Sequence, residues 1–463
     1  MVWEPSSPTR PNAPMTVAPP PSHHPAPHES AWRWWVCGLL MLATVINYMD
    51  RMALNQTARR IKLSLGMNNE QYSMLESAFS LAFAIGAVTT GYVVDRANVR
   101  WVYPLMVLGW SAAGVLTGFA DGFWFLLTCR FMLGFFEAGN WPCGIRTTRT
   151  VLRPEERSFG NSLFQSGTAL GAVMTPLLVL FLLRWADPGE SQRNAVMAVT
   201  GGTYEAVSGA PTNTWQFPFR VIGSLGVVWI VLWFVTVPGR MVSTSRAAGG
   251  APPETGAARF KEVFADTRFW VLFAMVVAIN VTWHGYRTWL PLYLQEQRGF
   301  TEVGMSKFTT VYYLVADAGS WTVGLGTLYL CKRGVGVHAS RTLAFAACAG
   351  LCLCTVAVPF LPSGVQLQAA LLAVAFGGLG MFPTYFALSQ ELSSKHQGKV
   401  TGTLGAGAHL SLALIYPFEG WLIDATGSYE TVLGAIGCAP VLALGLLLWK
   451  WPARDEPGAD GAE

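Results

Sequence analysis

The sequence predicts an all-α integral membrane protein with twelve transmembrane helices in two six-helix bundles, and three observations carry that fold class. Of 463 residues, 52% are hydrophobic and only 13% charged, whereas soluble domains carry about 25% charged residues. Apolar runs of roughly 20 residues recur along the chain, each long enough to cross about 30 Å of hydrocarbon. A long polar break within the array, 238–267, divides those runs six and six. A transmembrane β-barrel would read instead as short alternating segments.

Residues 1–32 are Pro-rich and lack the apolar core of a signal peptide, so they read as a disordered cytoplasmic tail. The first bundle, 33–237, holds runs near 34–56, 73–94, 101–120, 123–145, 159–183 and 218–237. A cytoplasmic linker follows at 238–267, containing "STSRAAGGAPPETGAARFKE". The second bundle, 268–451, holds runs near 268–294, 305–331, 339–361, 366–390, 398–423 and 429–450, and 452–463 forms a second cytoplasmic tail. Lys and Arg outnumber those of the opposite loops about two to one on the side of Arg96, Arg149, Arg153, Lys332 and Lys399. That bias places both termini inside. The halves also echo one another: "EAGNWP" and "GGLGMFP" put Pro142 and Pro383 at matching depth, as Pro176 and Pro417 are in the following spans. Internal repeats enclosing a midplane site are a transporter signature.

Composition also excludes. The net charge is only +4, and basic residues form no nucleic-acid surface. The eight cysteines lie almost entirely in apolar runs without a CxxC pair or a His/Cys ligand set, so they read as small buried side chains rather than metal ligands. No phosphate loop or nucleophile elbow is present, so neither an enzyme nor a resident cofactor is expected.

The candidate site is made of charges that lipid does not tolerate. "INYMDR" sets Asp50 beside Arg51, and "CRFMLGFFEAGNWP" sets Arg130 two helical turns before Glu137 on the same face. A charge at the bilayer centre costs about 2.5–3.5 kcal/mol on insertion scales, so these four should face a cavity or one another. Salt bridges that merely tie the first and fourth spans together are the bland alternative. The functional one assigns roles by chemistry. A buried Arg stays protonated and can hold a carboxylate through two parallel hydrogen bonds. Protonating a neighbouring acid frees that Arg for an anionic substrate, which couples proton uptake to anion binding. Arg287, one turn after His284, and His409, Asp317 and Glu419 either line the pore or make satisfied helix contacts.

"GYVVDRANVR", residues 91–100, resembles the cytoplasmic loop motif of the major facilitator superfamily. By that resemblance Gly91, Asp95, Arg96 and Arg100 are gating residues. "NYMDR", "CRFMLGFFEAGNWP", "RPEERSFGNSLFQSGTALGAVMTPLL" and "TWLPLYLQEQRGF" together resemble its anion:cation symporter family, especially bacterial hexuronate and galactonate transporters. The resemblance implies that Asp50 and Glu137 are proton-coupling acids and that Arg130 is coupled to Glu137. It makes Arg51 the substrate-carboxylate ligand and Tyr48 a substrate contact.

Departures stand beside the matches. Phe83 replaces a substrate-contacting Tyr, Thr168 replaces a Gln, and Leu328 and Tyr329 stand where relatives repeat the gating Asp-Arg. Arg287 and His409 are candidate replacement contacts. Counting from the two prolines, Glu137 corresponds to Gly378 and Arg130 to Leu371, so the second half is expected to add mainly shape and neutral contacts. The implied activity is proton-coupled import of a hexuronate or related sugar acid by a monomer in a bacterial inner membrane. A carrier for aromatic, dicarboxylic or phosphorylated anions and a transporter-like sensor are the other readings of these residues.

Overall fold

Twelve membrane-crossing segments follow from the apolar runs, and their ends are set by ordinary capping chemistry. The computed structural model describes residues 27–153, 156–186, 213–237, 264–392 and 397–451. The tails, the 238–263 part of the expected linker and residues 187–212 of the break after the fifth span lie outside that set. The first half comprises α1 (Pro27–Leu65), α2 (Asn69–Arg96), α3 (Val99–Thr117), α4 (Phe123–Glu137), α5 (Asn140–Val151), α6 (Arg157–Ala186) and α7 (Gln216–Thr236). The second comprises α8 (Thr267–Leu292), α9 (Glu302–Lys332), α10 (Val337–Cys352), α11 (Val365–Leu392), α12 (Gln397–Thr426) and α13 (Tyr429–Lys450). Among the described residues, nine of the helical segments are long and apolar enough to cross a bilayer by length and composition alone. The outer faces of the helices carry apolar side chains such as Leu414 of α12 and Leu442 of α13, each 74% exposed, which suits hydrocarbon and not water.

Helix ends are satisfied locally. Asn68 and Gln71 form a reciprocal capping box at α2, while Asp266, Thr301 and Ser428 cap α8, α9 and α13 with their side chains. Gly66, at φ +63°, turns the chain between α1 and α2, a conformation costly for any residue with a Cβ.

α4 and α5 together make the fourth span, and the break between them is specific. α4 ends at Glu137, and α5 resumes at Asn140 with Pro142 two residues further on. Proline has no N–H to donate and crowds the preceding turn. Pro383, at the matching place, lies inside the continuous helix α11. The repeat therefore holds for the segment but not for the kink.

Close helix crossings confirm the repeat in three dimensions. A methyl on Gly86 of α2 would collide with the carbonyl of Phe135 on α4, and one on Gly319 of α9 with the carbonyl of Phe376 on α11. Phe135 and Phe376 each lie seven residues before Pro142 and Pro383. Small residues let membrane helices approach backbone to backbone, where dispersion replaces the hydrophobic drive that lipid removes.

Between the halves, α2 packs on α12, α6 on α9 and α1 on α8. Polar links concentrate at the end where α1 gives way to α2, opposite the α1 N-terminus. Arg60 holds Glu302 at 2.7 Å, and Lys62 holds Glu296 at 3.0 Å. Asp424 of α12 accepts the backbone N–H of Asn69 and of Glu70, at 3.3 and 2.9 Å. One half thus supplies the anion for the positive end of a helix in the other.

Gly319→Ala is expected to destabilise the protein by about 1–3 kcal/mol, the usual range for overpacking. Gly324→Ala, with open space around the added methyl, should be silent. Thermal unfolding of the two variants in detergent checks this.

Candidate functional site

At the middle of the bundle three arginines and three acids from both halves are buried together, each at most 4% exposed: Asp50 and Arg51 of α1, Glu76 of α2, Arg130 and Glu137 of α4, and Arg287 of α8. Arg51 donates to Glu137 Oε2 through Nε at 3.0 Å and Nη2 at 2.8 Å. Arg130 turns to Glu76 instead, Nη2 to Oε1 at 3.3 Å. Arg287 reaches the other oxygen of the same carboxylate, Nη2 to Oε2 at 3.0 Å. Asn55 of α1 also donates to Glu76 Oε1 at 3.1 Å. Glu76 is thereby a bridge between the halves.

This geometry corrects the expected partners. Arg130 and Glu137 share a helix face, yet the ion pairs run α1 to α4 and α4 to α2. Asp50 pairs with neither arginine. Successive residues point about 100° apart around a helix, and Asp50 Oδ1 lies 3.0 Å from the place where a Cβ on Gly114 of α3 would sit. Neither of its oxygens has a hydrogen-bond partner. The second half also adds more than neutral contacts, since Arg287 places a full charge on Glu76.

Aromatic rings shape the space around Arg51. Its guanidinium carbon lies 5.2 Å from the Tyr48 ring centre, 4.8 Å from Phe79 and 5.1 Å from Phe83. Arg130 lies 4.8 Å from the same Phe79 ring, so one aromatic face serves two cations. Phe83 stacks on His409 of α12 at 4.3 Å, and His409 lies 5.9 Å from His284 of α8. Tyr48, Phe83, Arg287 and His409 are thus gathered at the junction of the halves. Thr168 differs: it is half-buried on α6, and its hydroxyl donates to the Gln165 carbonyl at 2.9 Å within its own helix.

The break after α4 is fastened to its neighbours. Tyr103 of α3 donates to Asn140 Oδ1 at 2.6 Å, and Asn140 Nδ2 donates to Thr44 of α1 at 3.1 Å. The kink that ends α4 at Glu137 is therefore tied on two sides. Asn140, Asn55 and Glu76 are absent from the sequence reading. Glu76 did carry a signal, as a single acid in "SMLESAFSLAF", whereas the two asparagines carried none.

The remaining polar candidates separate. Glu419 accepts the Trp289 indole N–H at 2.7 Å, a helix-to-helix contact inside the second half. Asp317 is half-buried on α9. In the loop motif, Arg96 lies over the Tyr92 ring and bonds its carbonyl. Arg100 donates to the Val237 carbonyl at 2.5 Å, where α7 ends. Those partners belong to the first half, as does Gly91 at the α2 end; the Asp95 side chain lies outside the described residues.

A midplane site between two pseudo-repeated six-helix bundles defines a membrane carrier. The chain belongs to the Major Facilitator Superfamily, whose family model matches residues 40–396. It is 24% identical to the probable sulfoacetate transporter SauU of Cupriavidus necator, covering 86% of this chain and 89% of that one. It is also 24% identical to the probable L-galactonate transporter of Escherichia coli, with 90% and 88% covered. The probable galactarate/D-glucarate transporter GudP of Bacillus subtilis is 23% identical, with 91% and 92% covered. Among solved structures, a bacterial homologue of the human lysosomal transporter Spinster shares the fold at TM-score 0.70 and 18% identity, covering 90% of this chain and 95% of that one. The xylose transporter XylE does so at 0.68 and 12%, covering 92% and 98%. The protein is a multi-pass membrane transporter, homologous to sugar-acid carriers, and not an enzyme.

Breaking the Arg51–Glu137 pair on one side strands a buried charge. Glu137→Gln is expected to cost about 3–5 kcal/mol, and a second change, Arg51→Gln, should recover most of it. Melting of the purified variants in detergent reads both.

Proposed function

We propose that the protein is a proton-coupled symporter that imports a small organic anion, a hexuronate or related sugar acid, by alternating access. The observation that carries this reading is the Arg51–Glu137 pair, buried at the midplane of a carrier fold with aromatic rings around the arginine. A substrate carboxylate and Glu137 compete for one guanidinium. When Glu137 takes a proton, Arg51 loses its internal partner and turns its two parallel donors to the substrate. Asp50, buried beside them without a hydrogen-bond partner, is the second acid in the cycle. Tyr48 and Phe83 flank the ring or chain of the sugar acid, and His409 closes it from the second half.

The positive-inside bias supports cytoplasmic termini, and the bacterial relatives support a place in the inner membrane. The Arg60–Glu302 and Lys62–Glu296 seam is then periplasmic, and it joins the halves on that side. Arg96 and Arg100, held here by first-half partners, become available to the second half when the cytoplasmic ends close. Relatives named for the transport of galactonate, galactarate/glucarate or galacturonate support the sugar-acid class.

Uptake into proteoliposomes with an alkaline interior tests the proposal, using labelled glucuronate, galacturonate and galactonate in parallel. Accumulation that a protonophore abolishes is the expected result. Glu137→Gln should then equilibrate substrate without accumulating it. Normal accumulation by that variant would remove Glu137 from the coupling machinery.

A further inference from the structure

Glu76 is the group at the centre of the site that the proposed cycle does not use. Its side chain is fully buried, and its two oxygens are divided between the halves. Oε1 takes Arg130 and Asn55 from the first half, and Oε2 takes Arg287 from the second. Tyr72 of its own helix shares the Asn55 amide, at 3.1 Å. The phenols of Tyr313 on α9 and Tyr416 on α12 stand within its electrostatic reach.

The arrangement repeats the logic of the Arg51–Glu137 pair. In each, a carboxylate of the first half occupies an arginine that faces the junction. Arg287 keeps an unsatisfied buried N–H at Nε, and Arg130 keeps two, at Nε and Nη1. Such donors accept a second carboxylate or sulfonate when the first partner becomes neutral.

We infer that Glu76 is an internal counter-anion for Arg287, displaced by the second acidic group of a substrate that is a dianion. The inference rests on the symport reading and specifies its substrate class. In the cycle, one proton adds to the Glu76 carboxylate, Arg287 leaves it, and the freed guanidinium takes the far acid of the substrate. The proton leaves with the substrate on the other side, and the pair re-forms. Neutralising Glu76 also removes an ionic bond between the halves at the midplane, so the same event permits them to rock.

The test compares galactarate with galactonate, which share one carbon skeleton and differ in an acid or an alcohol at the far end. Counterflow in proteoliposomes is expected to favour galactarate by about tenfold, with the preference growing as the pH is lowered. Asp50 and Glu137 serve both substrates, so the ratio isolates Glu76. Glu76→Gln should keep the preference but lose its pH dependence, and should carry one proton fewer per galactarate. Arg287→Gln should slow galactarate by a larger factor than galactonate. If Glu76→Gln does not fold, the double variant E76Q/R287Q leaves no stranded charge and should move both substrates without preference. A merely structural clasp would leave the proton count and the ratio unchanged in every variant that folds, and that result overturns the inference. Equal transport of the two acids by the unaltered protein would overturn it too. Transport of neither acid would instead overturn the sugar-acid reading on which it stands.

Discussion

Every arginine buried at the midplane must be neutralised by something, because hydrocarbon and packed helix supply no water to do it. That constraint organises this protein. Arg51 uses Glu137, while Arg130 and Arg287 share Glu76. The helices that carry those acids are placed accordingly. α4 ends at Glu137, its continuation α5 is tied through Asn140 to α1 and α3, and α2 runs beside α4 at a distance that only glycine permits. Each of these three arginines is thus matched to a carboxylate. In the proposed cycle those internal anions hold the places that substrate anions take, and exchanging one for the other changes what holds the halves together.

The two halves contribute unequally although they descend from one pattern of helices. The Gly86–Phe135 and Gly319–Phe376 crossings are the same contact twice. The chemistry laid over it is not repeated, because Gly378 and Leu371 stand where Glu137 and Arg130 do. Both acids that hold arginines therefore ride on the first bundle, and the second bundle brings one cation to meet them. In the proposed alternating-access cycle, rocking of the second bundle moves Arg287 relative to a fixed anion, which is a simpler operation than moving both members of a pair.

The fold was legible in the sequence because lipid leaves little choice: backbone polar groups must be paired within each segment, so apolar runs become helices. The intramembrane charges were legible for the same reason, since Arg51, Arg130, Glu137 and Arg287 each interrupt such a run. Their partners were not. Pairing depends on which helices cross at which height, and sequence spacing speaks only to neighbours on one helix. Hence Arg130 and Glu137, two turns apart on one face, belong to different ion pairs. Asp50 and Arg51, adjacent in sequence, face different helices. Glu76 was less legible, because polar Asn69, Glu70 and Gln71 lie just before it and give the start of that run an interfacial character.

The seam through which Asp424 caps the start of α2 is partly exposed, unlike the buried pairs at the midplane. Mobile ions weaken exposed charges beyond a Debye length of about 8 Å at physiological ionic strength but hardly reach buried ones. The protein thus has two locks that answer to different solutes. In the proposed cycle, dissolved salt acts on the outer one through screening, and acidity acts on the inner one through protonation. On that reading the ionic strength of the surroundings alone alters the resting balance between the two conformations, without touching the chemistry that selects the cargo.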